Sequence, residues 1–305
     1  MQMQVSPVAQ LIESILRTYA RVTPTERGGY RLARLARRIR SSDDRRDTFR
    51  TPHGLTLDLD LNCYPDCTMA FGLYELDTAR VMRRLLRRGD HFVDGGANIG
   101  YLTMIGAQCV GPTGSVDAFE PQSDNRARLE ANLRRNGLTD RVRVHAEALS
   151  DAGGTATIHR FAGDEGNHGM ASLFAGDGAA AATVSVEVPT VRLDDALIGT
   201  SPALIKLDVE GAESLAIKGM TGLLKSPRPP AVILEHNPET LRRAGAAAGL
   251  SEPVRLLLAT RDDWQARVIA FGLPRIDPND TKRWQRLRQV NLLVQSPSGA
   301  APMLR

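Results

Sequence analysis

The strongest constraint in this sequence is a glycine-rich turn between an apolar strand and an apolar helix, in the stretch His91-Phe92-Val93-Asp94-Gly95-Gly96-Ala97-Asn98-Ile99-Gly100-Tyr101-Leu102. Glycine has no Cβ, so such a turn lets the backbone approach a ligand closely. An acidic residue, Asp94, ends the strand directly before the first glycine. The stretch therefore predicts a strand, turn and helix that together bind a ligand.

The acids around this turn indicate which ligand it binds. Ala97 stands at the third position of the G-x-G-x-x-G pattern that holds a dinucleotide pyrophosphate. A carboxylate at Asp94 would oppose a pyrophosphate, yet it suits the ammonium of an amino-acid moiety. Glu120 ends the next strand-like run, and such an acid can accept both ribose hydroxyls of an adenosine. These features favour S-adenosylmethionine; a nicotinamide dinucleotide and a turn without a ligand are the alternatives.

The composition is that of an ordinary globular protein, with 42% hydrophobic and 24% charged residues in 305. We expect a cytoplasmic protein, because no apolar run could cross a bilayer and residues 1–50 show no secretory signal. The odd number of cysteines, Cys63, Cys67 and Cys109, predicts neither a disulfide framework nor a zinc site.

The basic charge is concentrated in residues 1–50, which hold eleven arginines against five acids. The net charge of the whole chain is +4, so residues 51–305 are slightly acidic. An enzyme acting on nucleic acid would carry its basic patch around the active site. We therefore expect no nucleic-acid partner. The arginine-rich N-terminus could form a homodimer, cover the active site, or do neither.

The chain then reads as a Rossmann-like α/β fold, a doubly wound and mostly parallel sheet. Residues 8–40 predict two helices, Thr48–Asp60 a hairpin, 62–71 a loop and 74–86 a helix. Further along the chain, 155–159 and 184–191 are typical of strands, 212–224 predicts one helix, and 254–259 could be helix or strand. We predict an N-terminal helical and β-hairpin extension over 1–70, a main domain over 71–298, and a frayed tail over 299–305. The main domain has core strands, a glycine- and alanine-rich loop over 162–183 that we interpret as a substrate loop, and a closing antiparallel pair near Val268–Phe271 and Val290–Val294.

Polar residues at the carboxyl ends of the predicted core strands indicate where chemistry would occur, since ligands bind there in open α/β sheets. They are Asp94, Glu120, Glu147, Asp208, Glu210, Glu235 and His236. Methyl transfer to oxygen requires removal of the acceptor's proton, and we predict His236 as the base. Alternatively, Asp208, Glu210 and Glu235 could hold a divalent cation such as Mg²⁺. His168, in the predicted loop, is a second candidate base.

Several motifs resemble those of the FkbM-like family of class I S-adenosylmethionine-dependent methyltransferases. They include Phe92–Tyr101, Ala118-Phe119-Glu120-Pro121, Ala148-Leu149-Ser150-Asp151, Gly169 with Ser172-Leu173, Ile205–Glu213 and Leu234-Glu235-His236. The upstream Gly72-Leu73-Tyr74-Glu75 is similar to the family's opening motif. The resemblance spans about residues 70–240, and Asp-Val-Glu-Gly-Ala-Glu, residues 208–213, is its most specific part. Gly95 departs from the family pattern, because many members have a residue with a side chain at this position.

The resemblance implies an O-methyltransferase acting on a hydroxyl of a sugar, glycolipid or polyketide-type natural product. It assigns these residues to the cofactor: Asp94, Gly95, Gly96, Ala97, Asn98, Gly100, Tyr101, Glu120, Pro121, Glu147, Ala148 and Asp208. It assigns these to the substrate: Tyr74, Glu75, His168 and Ser172. The candidate catalytic residues are His236, Glu210, Asp208 and Glu235. N-methylation of a small amine and a non-catalytic nucleotide-binding protein remain alternatives.

Overall fold

The computed structural model describes residues 11–12, 14–15, 18–19, 46–161, 171–172, 183–238, 252–270, 272–277 and 279–304. The strands are β1 (Arg46–Arg50), β2 (Thr56–Asp60), β3 (His91–Gly95), β4 (Ser115–Phe119), β5 (Val142–His145), β6 (Ala148–Leu149), β7 (Gly154–Phe161), β8 (Ala171–Ser172), β9 (Thr183–Val191), β10 (Leu204–Leu207), β11 (Ala231–His236), β12 (Gln265–Val268) and β13 (Val290–Gln295). The helices are α1 (Asp66–Met69), α2 (Leu76–Leu85), α3 (Tyr101–Val110), α4 (Ser123–Arg135), α5 (Leu193–Ala196), α6 (Glu213–Lys218), α7 (Thr221–Leu224), α8 (Glu252–Leu258) and α9 (Thr281–Arg286), with a 3₁₀ turn at Thr139–Arg141.

A seven-stranded, mostly parallel sheet forms the centre of the molecule, in the order β12-β13-β11-β10-β3-β4-β5. The five strands from β11 to β5 are parallel, and β13 runs antiparallel between β11 and β12. From β3 the chain adds β4 and then β5 on one side of β3, and it later adds β10 on the other side of β3. The predicted doubly wound α/β fold is thereby confirmed, and β3 with β10 marks the switch point where ligands bind in such sheets.

The central strands of the sheet consist of continuous apolar runs, so both of its faces carry apolar side chains. Both faces are accordingly buried. Neighbouring residues of β3 alternate between two hydrophobic clusters: Phe92 packs with α2, α3, α4 and the hairpin, whereas Val93 packs with α6 to α9. Each large apolar side chain buried in this way contributes roughly 1.5–3 kcal/mol relative to exposure. The two layers of helices therefore hold the strand ends in fixed positions.

The predicted hairpin is confirmed and packs against α4. β1 pairs antiparallel with β2, and the alternating leucines of the segment enter the cluster that contains Phe92. Asn136 fixes the contact, because its side chain accepts from Thr56 N at 2.8 Å and donates to Thr56 O at 2.8 Å. Arg128 adds an ion pair to the buried Asp66 at 2.6 Å.

A smaller four-stranded sheet, in the order β6-β9-β7-β8, follows β5. It contains the strand-like runs predicted around 155–159 and 184–191. Of the predicted substrate loop, residues 162–170 and 173–182 lie outside the described part of the chain, and so do His168 and Gly169. The backbone of Ala171 and Ser172 forms β8, opposite Arg160 and His159 of β7.

Several predicted elements differ in detail. The expected loop over 62–71 contains α1, and the single helix expected over 212–224 is divided into α6 and α7. Gly219 lies at this division, where an added Cβ would come within 2.0 Å of Ser150 O. The segment 254–259, which the sequence left open between helix and strand, is helical in α8. The closing antiparallel pair is confirmed, with its first strand earlier in the chain than expected.

The C-terminal tail was wrongly expected to be frayed. Ser296 is buried, Ala300 N donates to Pro229 O at 2.9 Å, and Leu304 N donates to Gln295 Oε1 at 3.1 Å. At the other end, residues 11–12, 14–15 and 18–19 are helical, and the remainder of the two predicted N-terminal helices lies outside the described residues. No helix in the described ranges is long and apolar enough to cross a membrane.

Candidate functional site

A cavity of about 330 Å³ opens at the carboxyl ends of β3, β4, β10 and β11. This is the size and location expected of a ligand site in an open α/β sheet. Most of the residues predicted from sequence form its wall: Tyr74, Glu75, Asp94, Gly96, Ala97, Asn98, Tyr101, Glu120, Pro121, Glu147, Ala148, Asp208, Glu210 and Glu235. The fold therefore brings together residues from positions 74 to 235 of the chain.

The glycine turn is held close to the neighbouring strands. Gly96 has φ +78°, and a Cβ there would lie 1.8 Å from Asp208 O, so only glycine fits. The amides of Gly96 and Ala97 both donate to Phe119 O at 3.0 Å. The turn thus joins β3, β4 and the segment after β10 at one point of the cavity wall.

Gly95 and Gly100, predicted to contact the cofactor, do not line the cavity. An added Cβ would lie 2.7 Å from Leu149 Cδ1 at Gly95 and 2.2 Å from Leu129 Cδ1 at Gly100. Both glycines allow close packing behind the turn. The absence of a side chain at Gly95 therefore leaves room for Leu149.

Asp94 is fully buried and engaged on both carboxylate oxygens. Thr103 Oγ1 donates to Asp94 Oδ2 at 2.6 Å, and Lys206 Nζ lies 3.4 Å from Asp94 Oδ1. Lys206 also lies 3.4 Å from Asp208 Oδ2 and donates to Gly96 O at 3.3 Å. Burial acts to lower the pKa of Lys206, but the carboxylates of Asp208, Asp94 and Glu75 raise it further than burial lowers it. Lys206 therefore stays charged between two acids of the site.

Lys206 was not among the residues predicted for the site. The signal in the sequence was a lysine within the otherwise apolar run of β10, in a chain that has only four lysines. Burying an amine in a central strand is costly unless carboxylates surround it. Such a lysine therefore indicates acidic partners nearby.

Glu120 follows β4 and is buried at the cavity wall. Its Oε2 accepts from Asn98 N at 2.8 Å and its Oε1 accepts from Gln122 N at 2.9 Å. Burial raises the pKa of Glu120 to about 7, although these amides favour the ionised form. The carboxyl group is therefore poised near neutrality, so a ligand that donates hydrogen bonds would favour its ionised state.

Strained backbone is concentrated at this cavity. Among the described residues, four non-glycine residues have positive φ, and three of them line the cavity: Glu75 (+51°), Asn98 (+50°) and Glu210 (+52°). Such conformations persist where surrounding structure imposes them, which is common at functional sites. At Glu210 the support comes from Glu213, whose Oε1 accepts from Val209 N and Gly211 N, each at 3.2 Å.

Glu235 and His236 lie on opposite faces of β11. Glu235 lines the cavity, whereas the ring of His236 packs edge-on against Trp284 with centroids 4.9 Å apart. His236 is 2% exposed, and burial lowers its pKa to about 4. The structure therefore does not bring His236, the predicted catalytic base, to the cavity, because alternation along the strand points its side chain to the other face.

Two other predictions are not carried by the geometry. Within the described ranges, no group of three His, Cys, Asp or Glu side chains is arranged to hold a metal ion. The predicted set of Asp208, Glu210 and Glu235 is therefore not arranged as a metal site either. Of the residues predicted for the substrate, Tyr74 and Glu75 line the cavity. His168 and the side chain of Ser172 lie outside the described part.

The described wall of the cavity is strongly acidic. It contains seven carboxylates and one basic residue, Lys206; the carboxylates are Glu75, Asp94, Glu120, Glu147, Asp208, Glu210 and Glu235. Three buried polar atoms of this wall have no hydrogen-bond partner within the protein: Asp94 Oδ1, Tyr101 Oη and Glu235 Oε2. The cavity is thus suited to a cationic ligand with several hydrogen-bond donors.

The fold and this cavity define a Rossmann-like α/β protein with an acidic ligand site at its switch point. Residues 94–243 match a family model described as Methyltransferase FkbM domain. Residues 94–243 are thus similar to the FkbM methyltransferase domain, and the predicted resemblance to this family is confirmed. No curated protein matches the chain.

Three solved structures are similar to this chain at low sequence identity. Methyltransferase FkbM from Methylobacillus flagellatus KT is 18% identical with a TM-score of 0.43, over 75% of this chain and 54% of that chain. The O-methyltransferase TomG from Streptomyces achromogenes, involved in tomaymycin synthesis and solved with SAM, is 16% identical with a TM-score of 0.40, over 72% and 77%. An rRNA methylase from Streptococcus thermophilus is 8% identical with a TM-score of 0.41, over 72% and 93%. This chain thus spans about half the length of the FkbM structure, and none of these likenesses identifies a substrate.

Proposed function

We propose that this methyltransferase uses S-adenosylmethionine to methylate a hydroxyl group of a small molecule. The observation that carries the proposal is the excess of carboxylates in the wall of the cavity. A cationic cofactor with an ammonium and a sulfonium is attracted by such a wall, whereas the pyrophosphate of a nicotinamide dinucleotide is repelled. The same charge disfavours the phosphate backbone of a nucleic acid as substrate.

The residues of the wall fit this cofactor group by group. Glu120 can accept both ribose hydroxyls once ionised, and Asn125 and Gln122 lie beside it in the wall. Asp94 Oδ1, which has an ion pair with Lys206 but no hydrogen bond, and Tyr101 Oη, which has no hydrogen bond, lie near the glycine turn, where an ammonium would find acceptors. When bound, S-adenosylmethionine supplies an electrophilic methyl group on a positively charged sulfur.

Glu235 takes the role first given to His236. It lines the cavity, Gln289 Nε2 donates to its Oε1, and its Oε2 has no partner within the protein. Burial, with the charges of Asp208 and Glu210, raises the pKa of Glu235 well above its ordinary value. A carboxylate with a raised pKa is a better proton acceptor for an alcohol. This favours a hydroxyl acceptor over an amine, which needs less help from a base.

Calorimetric titration with S-adenosylhomocysteine, with NADH as the parallel ligand, tests the cofactor. We expect S-adenosylhomocysteine to bind and NADH to give no heat. Binding of NADH alone would overturn the proposal, because it would require the acidic wall to accept a pyrophosphate. Binding of neither would favour a protein that retains the fold without the activity.

A further inference from the structure

A second cavity, of about 200 Å³, adjoins the first. The two share a wall of five side chains: Tyr64, Tyr74, Glu75, Glu235 and Gln289. The rest of the smaller cavity lies between α1, the segment before α2, and the start of β13, and no residue of the glycine turn reaches it. It is therefore a separate compartment that meets the larger cavity at Glu235 and Glu75.

Glu235 is the polar group best placed at this junction. The residue is 6% exposed, Gln289 Nε2 donates to one carboxylate oxygen, and the other oxygen has no hydrogen-bond partner within the protein. A buried carboxylate oxygen without a hydrogen bond is costly to maintain. Its position between two cavities indicates that a ligand spanning both would supply the missing donor.

Strand β13 also fixes the second carboxylate of the junction. Asn291 Nδ2 donates to Glu75 Oε2 and lies 2.9 Å from Thr78 Oγ1. This contact holds the side chain of Glu75, whose backbone has positive φ at the start of α2. The antiparallel strand therefore positions both junction acids, through Gln289 and Asn291.

The chemistry of the smaller cavity excludes an anionic ligand. Its described wall contains two carboxylates, two amides, two tyrosines and a threonine, and no Lys, Arg or His. A phosphate or carboxylate entering it would meet no compensating positive charge. Burial raises the pKa of Tyr74 well above its ordinary value, so its phenol stays a neutral hydrogen-bond donor.

We propose that the smaller cavity binds an uncharged, polyhydroxylated part of the acceptor and that the accepting hydroxyl lies at the junction beside Glu235 Oε2. This inference rests on the proposed function. On transfer, the acceptor oxygen bonds to the methyl carbon and the carbon–sulfur bond breaks with its electron pair kept by sulfur. The hydroxyl proton passes to Glu235 Oε2 and from there to solvent.

The test uses three probes that differ only in charge class: glucose, glucose 6-phosphate and glucosamine. Saturation-transfer NMR on the full chain, with S-adenosylhomocysteine present, reports which of them contacts the protein. We expect transfer to glucose and none to glucose 6-phosphate. Stronger transfer to glucose 6-phosphate or to glucosamine, or transfer to none of the three, would overturn the assignment.

Two variants separate the cavities. Val290 lines only the smaller cavity, and Val290→Phe should reduce transfer to glucose several-fold while the affinity for S-adenosylhomocysteine is kept. Asn125 lines only the larger cavity. Asn125→Leu should weaken the binding of S-adenosylhomocysteine about tenfold, which is the effect of one lost hydrogen bond.

If wild type fails to bind S-adenosylhomocysteine, the proposed function fails. If it binds but Val290→Phe leaves transfer to glucose unchanged, only the acceptor assignment fails. Thermal unfolding of each variant verifies that it is folded. Asn291→Leu, which releases Glu75 without filling the cavity, provides an independent test if Val290→Phe does not fold, and unchanged transfer in that variant would equally overturn the assignment.

Discussion

Lys206 Nζ lies 3.4 Å from Asp94 Oδ1 and also 3.4 Å from Asp208 Oδ2, so one buried ammonium holds two acids from adjacent strand ends. The arrangement keeps the carboxyl ends of β3 and β10 together at the point where the cavity opens.

Lys206→Met should destabilise the protein by about 3–5 kcal/mol, because it removes the ammonium from the buried Asp94 and the partly buried Asp208. Urea unfolding measures the loss. Lys218→Met, at an exposed position of α6, is the matched control and should change the free energy of unfolding by less than about 0.5 kcal/mol. Equal stability of the two variants would show that the ion pair between Lys206 and Asp94 contributes nothing to the free energy of unfolding.

Gly96→Ala should abolish binding of S-adenosylhomocysteine. The new methyl group would collide with the backbone carbonyl of Asp208, and φ at this position is +78°. Gly137→Ala separates the two effects, because Gly137 has φ +63° but no atom within 4 Å of the added Cβ. That control should lose roughly 1–2 kcal/mol of stability and keep its affinity. Calorimetry and unfolding together distinguish the variants.

Affinity for S-adenosylhomocysteine should fall as the pH drops below about 7. Burial raises the pKa of Glu120 to about 7 in the free protein, and ribose hydroxyls require the ionised carboxylate as acceptor. Protons therefore compete with the ligand, by at most about tenfold per pH unit below that pKa. Titrations between pH 5.5 and 8.5 measure how the affinity changes with pH. Glu120→Gln should bind S-adenosylhomocysteine weakly, with an affinity that does not change over this range. A wild-type affinity that is constant over this range would contradict the assignment.

Glu235→Gln should lower the rate of methyl transfer about 10²–10⁴-fold, the usual contribution of a general base, with the cofactor affinity retained. His236→Phe is the control on the same strand, since its side chain faces Trp284 rather than the cavity. A larger loss of transfer in His236→Phe than in Glu235→Gln, with both variants folded, would return the histidine to the site.

Acid stability should depend on Asp117. His91 Nε2 and His145 Nε2 lie 2.7 and 2.6 Å from its two oxygens. Burial acts to raise the pKa of Asp117, but these hydrogen bonds lower it well below the ordinary value of 3.8. A lowered folded-state pKa contributes stability that is complete above the unfolded-state pKa and is lost as the pH falls below it. We expect urea unfolding at stepped pH to show a loss below about pH 4 that is on the order of 2 kcal/mol larger in wild type than in Asp117→Asn.

The parts of the fold that follow from local chemistry could be predicted from the sequence. The glycine turn at Gly96 and the apolar strands with acids at their ends locate the larger cavity. The orientation of His236 could not be predicted, because one residue along a strand reverses the face and strand ends are uncertain by a residue or two. The contributions of Gln289 and Asn291 depend on β13 inserting antiparallel beside β11, a pairing that local sequence does not encode.

The leucines of the hairpin, buried in the same cluster as Phe92, extend the folding unit beyond the matched residues 94–243. A polypeptide cut at Asp94 would lack most of β3, the helix that carries Glu75 into the cavity, and the apolar cover of one sheet face. Expression boundaries for this enzyme should therefore begin ahead of Arg46 and extend through the buried tail at Ala301.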